Sequence, residues 1–226
     1  MRNLPERQIP LEFSSCNIPP PDSISAVEFI QELKRVPESE RMAVVRTWMQ
    51  DRSPAAFSTL PYLWEAARDW FAKRCEVSPR QIGLAGSAQL GFSTSPMKAF
   101  APFDKTLSDL DFYLVSDELF SKLQKEASIF ITRQFSAINS DFYEQAKTTE
   151  RTLKRGYIDL QQIPAIHERY PKVARMRNDT SILMDKLKLS GFTLKASHFR
   201  VYRDWDAKAR WTSIQAKSWI DLLQSE

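Results

Sequence analysis

Residues 83–116 read GLAGSAQLGFSTSPMKAFAPFDKTLSDLDFYLVS. The stretch ends in Leu110-Asp111-Phe112-Tyr113-Leu114-Val115, an aromatic and β-branched run entered directly from Ser108-Asp109. Successive side chains of a strand take opposite faces, so Asp109 and Asp111 share one side while Leu110 and Phe112 share the other. A rise of roughly 3.3 Å per residue then holds the two acids about 7 Å apart on a rigid edge. Like charges this close raise one another's pKa, and a divalent hard cation removes that penalty, Mg²⁺ preferring a few carboxylates plus substrate phosphates. The start of the stretch fits the other half of such a site. Gly86-Ser87 follows a short run, Gln81 to Ala85, that reads as a strand. Glycine lets backbone N–H groups approach a phosphate, and serine adds a hydroxyl donor at the start of a short helix near Ala88, where the dipole favours an anion. An Asp-x-Asp alone supports no more than a surface strand with two solvated acids. The combination with an upstream Gly-Ser turn points to a nucleotide and metal site.

Gly86-Ser87 followed by Ser108-Asp109-Leu110-Asp111 resembles the nucleotidyltransferase superfamily related to DNA polymerase beta, in its small bacterial type, whose signature is Gly-Ser, then Asp-x-Asp, then a third acid on a later strand. The resemblance covers roughly residues 80 to 165. It departs from the family in spacing: the two motifs lie farther apart than in minimal members. The extra residues, 92 to 106, hold Ser93, Thr94, Ser95, Pro96 and Pro102 and read as a loop, either a substrate-binding flap or an altered phosphate-holding turn.

The resemblance implies transfer of a nucleoside monophosphate from a nucleoside triphosphate to an acceptor, with release of pyrophosphate. It implies that Asp109 and Asp111 hold two Mg²⁺ or Mn²⁺ ions and that Asp159 shares the one near the acceptor. Asp159 lies in Tyr157-Ile158-Asp159-Leu160-Gln161-Gln162-Ile163, which reads as a strand ended by Pro164 and expected beside the Asp-x-Asp strand. An acid buried unpaired among apolar residues costs several kcal/mol, so Asp159 needs either solvent on an edge strand or a cation. Asp204, at the end of the last strand, is its substitute as third acid. Gly86, Ser87 and Ser108 are expected at the phosphates, with Arg155, Lys195 and Arg203 as candidates to neutralise developing charge. The acceptor expected is an RNA, a protein or a small molecule, in a bacterial toxin or defence system. Two other readings stand beside this one: an inactive nucleotidyltransferase-like binding or regulatory module, and a cyclic-nucleotide synthase, for which 226 residues is short.

Composition narrows the class. Hydrophobic content of 42% and charged content of 27% are those of an ordinary globular protein. No apolar run approaches the roughly 20 residues of a membrane span, and MRNLPERQIP lacks the apolar core of a signal peptide, which points to the cytoplasm and to no membrane partner. Cys16 and Cys75 are too few and too isolated for a disulfide framework or a zinc site. His167 and His198, isolated from each other and from any cysteine, read as structural. Charge is uneven: residues 147–210 hold 15 Lys and Arg against 7 Asp and Glu, whereas residues 1–146 hold 16 against 19. The C-terminal half thus suits an anionic partner, or a solvated face for clusters such as Arg169, Lys172, Arg175 and Arg177.

Along the chain, five prolines in residues 1–22 favour an extended arm. Asp22 or Ser23 suits an N-cap for a helix over about 24–36, a second helix follows Pro37, and a third runs over about 61–74 with Trp64, Ala67, Trp70 and Phe71 as core positions. Helices are expected over about 117–139, 141–154, 178–189 and 207–223, with one long strand or a strand pair over 192–202. Together these predict an α/β (α+β) domain: a small mixed β-sheet flanked by helices, with residues 23–77 as an N-terminal helical layer and 78–226 as the core and basic C-terminal part, in one cooperative unit.

Overall fold

The alternation read over residues 110–115 organises the chain. A computed structural model describes residues 24–93, 98, 100–137, 140–189, 191 and 197–223. The proline-rich arm, Asp22, Ser23, Cys16 and Lys195 lie outside the described residues. The strands are β1 (Ile82–Ala85), β2 (Leu110–Val115), β3 (Tyr157–Asp159) and β4 (Ser197–Tyr202), in the order β1-β2-β4-β3. β1 and β2 pair antiparallel, β2 and β4 parallel, and β4 and β3 antiparallel, so the sheet is mixed as expected. The helices are α1 (Ala26–Arg35), α2 (Arg41–Arg46), α3 (Pro61–Cys75), α4 (Gly86–Leu90), α5 (Asp117–Ser136), α6 (Tyr143–Lys154), α7 (Pro171–Leu189) and α8 (Trp205–Leu223). Among the described residues no helix is long and apolar enough to cross a membrane.

One face of the sheet is apolar. Leu110, Phe112 and Leu114 of β2, Phe199 and Val201 of β4 and Ile158 of β3 join Trp64, Ala67 and Phe71 of α3 and apolar residues of α5 and α7 in the main core. Trp64, Ala67 and Phe71 fall at helical spacing, so α3 lays one stripe on the sheet. Phe71 stacks on Phe199 with ring centroids 4.6 Å apart, and Phe199 lies 5.9 Å from Phe112 at 12° between planes. The first two helices bury their apolar side elsewhere. Phe29, Leu33, Val45, Trp48 and Met49 pack with Leu90 and Phe92, which leave the Gly-Ser turn. α1 opens with Ser25 rather than Asp22 or Ser23, in a capping box with Glu28.

Two boundaries differ from expectation for physical reasons. The strand read over 157–163 stops at Asp159, because Asp159 Oδ1 accepts the Gln161 N–H at 3.1 Å and starts a 3₁₀ turn over Leu160–Gln162. The helix read from Asn178 begins at Pro171. Proline suits that first position, where no intrahelical donor is needed. The next two donors are met from a distance: buried Glu126 of α5 accepts the Lys172 N–H at 3.0 Å and the Val173 N–H at 3.1 Å. The loop after α4 is pinned at its neck, where Ser93 N–H donates to the Ala101 carbonyl at 2.7 Å and Phe103 N–H to that of Gly91 at 2.8 Å.

Glu126 gives the fold a direct test. Glu126→Gln turns one acceptor into an amide that opposes a buried N–H, a loss of about 1–3 kcal/mol. Urea denaturation is expected to show a lower midpoint with an unchanged slope.

Candidate functional site

The face of the sheet opposite the core is chemically different. Asp111 of β2 stands opposite His198 of β4, Tyr113 opposite Arg200, and Asp159 of β3 opposite Arg200 on the other side. Residues directly opposite share a face, so Asp111, His198, Arg200 and Asp159 project together. α8 covers the rest of this face, where Tyr113, Val115, Tyr157, Tyr202 and Ala207 are buried with Trp211 against them.

At the start of β2 the two sequence motifs meet. Ala85 pairs with Asp111, which puts the Gly-Ser turn beside the acid. Gly86 has φ +64°, and a Cβ there would lie 3.0 Å from Asp111 Oδ2. Both the positive φ and the close approach require glycine. Asp109 precedes β2 on the same side. Ser87, Asp109 and Asp111 form no side-chain hydrogen bond or ion pair with any described residue. Burial nevertheless pushes the Asp111 carboxyl above its ordinary pKa, with Arg200 and His198 opposing the shift and Asp109 and Asp159 adding to it. A half-buried carboxylate without a partner, beside a second acid, is a donor set suited to a hard divalent cation. Among the described residues no group of three or more His, Cys, Asp or Glu is arranged to hold a metal ion. α4 is only five residues long, so its dipole is weaker than a full helix would supply.

Asp159 is differently placed from its expectation. β4 lies between β3 and β2, so this acid is on the second strand from Asp111 rather than on the adjacent one. Strand spacing and rise put the two Cα atoms about 12 Å apart. Its carboxylate is already engaged: Oδ2 lies 3.4 Å from Arg200 Nε and 3.8 Å from His198 Nδ1. Burial alone would raise its pKa, but attraction to His198 and Arg200 outweighs burial and holds the carboxyl below its usual range. The same contact, working against burial, raises the His198 pKa.

The remaining candidates separate. Ser108 closes the loop: its hydroxyl accepts the Asp104 N–H at 3.1 Å and its N–H donates to the Asp104 carbonyl at 2.9 Å. Arg155 and Arg203 sit at the other end of the sheet, since Arg155 precedes the Tyr157–Tyr202 pair and Arg203 follows it. Arg203 pairs with Asp204 at 2.8 Å, and Asp204 caps α8 by accepting the Ala207 N–H at 2.6 Å. Asp204 is therefore a helix cap far from Asp111. His198 and Arg200, which local pattern did not single out, occupy the place beside Asp111 instead.

Lys208 lies under the same face, 1% exposed. Its Nζ donates to Thr212 Oγ1 at 3.1 Å and sits 4.5 Å from the Tyr113 ring centroid and 5.7 Å from that of Tyr202. Burial, with Arg200 adding, pulls its pKa down to about 7.

The chain matches no protein-family profile, no curated protein and no solved structure. Function is therefore argued from the arrangement of these side chains.

Lys208 supplies a pH test. An unfolded lysine keeps its proton to about pH 10.4, whereas folded Lys208 loses it near 7. Between those values the unfolded state binds more protons, so this residue makes stability rise with pH. Lys208→Met removes that contribution. The difference in melting temperature, variant minus wild type, is expected to be most positive near pH 7 and to shrink steadily towards pH 10, and a flat difference would contradict the assignment.

Proposed function

We propose that the protein is a metal-dependent nucleotidyltransferase that moves a nucleoside monophosphate from a nucleoside triphosphate to an acceptor and releases pyrophosphate. The observation that carries this reading is the Gly86-Ser87 turn lying against Asp111, with Asp109 beside it, neither carboxylate forming a hydrogen bond or ion pair with a described residue. Asp109 and Asp111 would hold Mg²⁺ or Mn²⁺, which supplies Lewis-acid neutralisation of triphosphate charge. Gly86 leaves room for a phosphate to approach the backbone, and the Ser87 hydroxyl donates to a phosphate oxygen. Arg200, held by Asp159 and half-buried on the same face, adds fixed positive charge beside the site without needing to reorganise. The acceptor in this reading is an RNA, a protein or a small molecule of the cytoplasm, in a toxin or defence context.

One observation favours a second reading, a nucleotide-binding or regulatory module without chemistry: the expected third acid, Asp159, is engaged by Arg200 one strand away.

Calorimetric titration with each of the four ribonucleoside triphosphates, in Mg²⁺ and in EDTA, tests the enzyme reading. Metal-dependent binding of a triphosphate that Asp109→Asn/Asp111→Asn loses is expected, followed by pyrophosphate release once an acceptor is supplied. Binding without any release across RNA, protein and small-molecule acceptors would leave only the module, and no binding would end both.

Asp111 also carries a stability signature. Its folded pKa is raised, so its favourable contribution exists below the unfolded value and is lost as pH rises through the folded one. At pH 7 without metal, Asp111→Asn is expected to match or exceed the wild-type melting temperature. A marked fall would show that the carboxylate is a structural group.

A further inference from the structure

A cavity of about 460 Å³ opens at the outer edge of β1, and its wall carries Arg52, Arg68, Arg80, Trp64, Trp205 and Gln89. It excludes Gly86, Ser87, Asp109 and Asp111. Gly83 and Tyr113 contribute its floor, and they are paired in the sheet two residues along from Ala85 and Asp111. The cavity is thus displaced about 7 Å along the strands from the acid-bearing end. The floor is bare backbone under a phenol: a Cβ on Gly83 would lie 2.4 Å from Tyr113 Cζ and Oη.

The wall is built to hold positive charge still. Gln89, 5% exposed, donates to the backbone carbonyls of Trp48 at 3.3 Å and Arg52 at 3.0 Å, which fixes the segment that carries Arg52. The Arg52 guanidinium lies 4.2 Å over the Trp48 ring and that of Arg68 5.5 Å over the Trp64 ring. Arg68 Nε also donates to the Pro79 carbonyl at 3.1 Å. Among the described lining residues the one carboxylate is Glu65, and it is paired with Arg68 at 2.9 Å. The wall therefore keeps a net positive charge, in the planar form that matches phosphate oxygens in pairs. At the mouth stands Trp205, the first residue of α8, with 47% of its surface exposed. A half-exposed indole lining the same cavity as these guanidiniums offers a stacking surface for a planar ring. The volume falls within the roughly 300–1,000 Å³ typical of small-ligand sites.

We propose that this cavity is a second ligand site, one that takes a nucleoside 5′-phosphate group without metal: the phosphate on the arginines and the base against Trp205. That chemistry has two sources, a free mononucleotide or the terminal nucleotide of a single strand. The site is independent of Asp109 and Asp111 and does not rest on the transferase reading.

The test is a titration in EDTA, followed by tryptophan fluorescence and calorimetry, with the four nucleoside 5′-monophosphates, a 5′-phosphorylated single-stranded RNA tetranucleotide, adenosine and inorganic phosphate. Arg80 and Trp205 are exposed, so Arg80→Glu and Trp205→Ala are compared with wild type after circular dichroism verifies their fold. Binding of a monophosphate or of the tetranucleotide is expected, weakened about tenfold or more in each variant, as loss of a charge-assisted contact predicts. It is expected to be unchanged in Asp109→Asn/Asp111→Asn. A tetranucleotide held at least about tenfold more tightly than the monophosphates would assign the site to a strand end, and equal affinity would assign it to free nucleotide. The proposal is overturned by no binding of either phosphorylated ligand, by binding that survives Arg80→Glu and Trp205→Ala, by inorganic phosphate binding as tightly as the nucleotides, or by loss of binding in the acid double variant. Only the last of these would merge the cavity with the proposed triphosphate site.

Discussion

The parallel register between β2 and β4 is the constraint on which the rest depends. Phe112 and Phe199 are opposite one another in that register and stack with Phe71 of α3 on the core side. Because side chains alternate, the same pairing that sets Phe112 against Phe199 sets Asp111 against His198 on the other side. A slip of β4 by one residue would carry His198 and Arg200 into the aromatic core and turn Phe199 and Val201 outward, which burial energetics forbid. Packing on one face thus fixes electrostatic neighbours on the other.

The charged face divides its burdens unequally. Asp159 is satisfied within the protein by hydrogen bonds from Arg200 and the Gln161 N–H, with His198 3.8 Å away. Among the described residues none hydrogen-bonds or pairs with the side chains of Asp111 and Asp109, and the Gly-Ser turn lies against Asp111 with no side chain at Gly86 to fill the gap. Lys208 adds a group poised near neutrality beneath the same strands, among Tyr113, Tyr202 and Thr212. A buried amine there is tolerated because desolvation favours its neutral form and Thr212 accepts a hydrogen bond from it.

Much of the architecture was legible because its signals are local. The alternation from Leu110 to Val115, the apolar stripe Trp64-Ala67-Phe71 and the short run ending at Ala85 each fix an element within a few residues, and the mixed sheet with flanking helices follows from them. Strand order is not local. Asp159 reads as a neighbour of Asp111 until β4, whose residues come later in the chain, is seen to lie between them. His198 and Arg200 owe their place to a pairing across most of the sequence; the sign was present in the alternation His198-Phe199-Arg200-Val201, which puts two basic groups on the side opposite a core phenylalanine. The start of α7 was hidden for the same reason. Arg169 to Arg177 look like a solvated cluster, and the partner that begins the helix, Glu126, belongs to α5. Of the candidate site, the strand that carries Asp111 and the turn at Gly86 could be placed from local pattern, whereas their neighbours across the sheet could not.

The bond between Glu126 and the first turn of α7 joins positions 46 residues apart. Burial of this acid is favourable only where the N–H groups of Lys172 and Val173 meet it, so α5 and α7 depend on each other for a buried charge that neither could hold alone. β4, with His198 and Arg200, lies farther along the chain still. A chain cut short before β4 would therefore present Asp111 without the cations that stand beside it in the finished sheet.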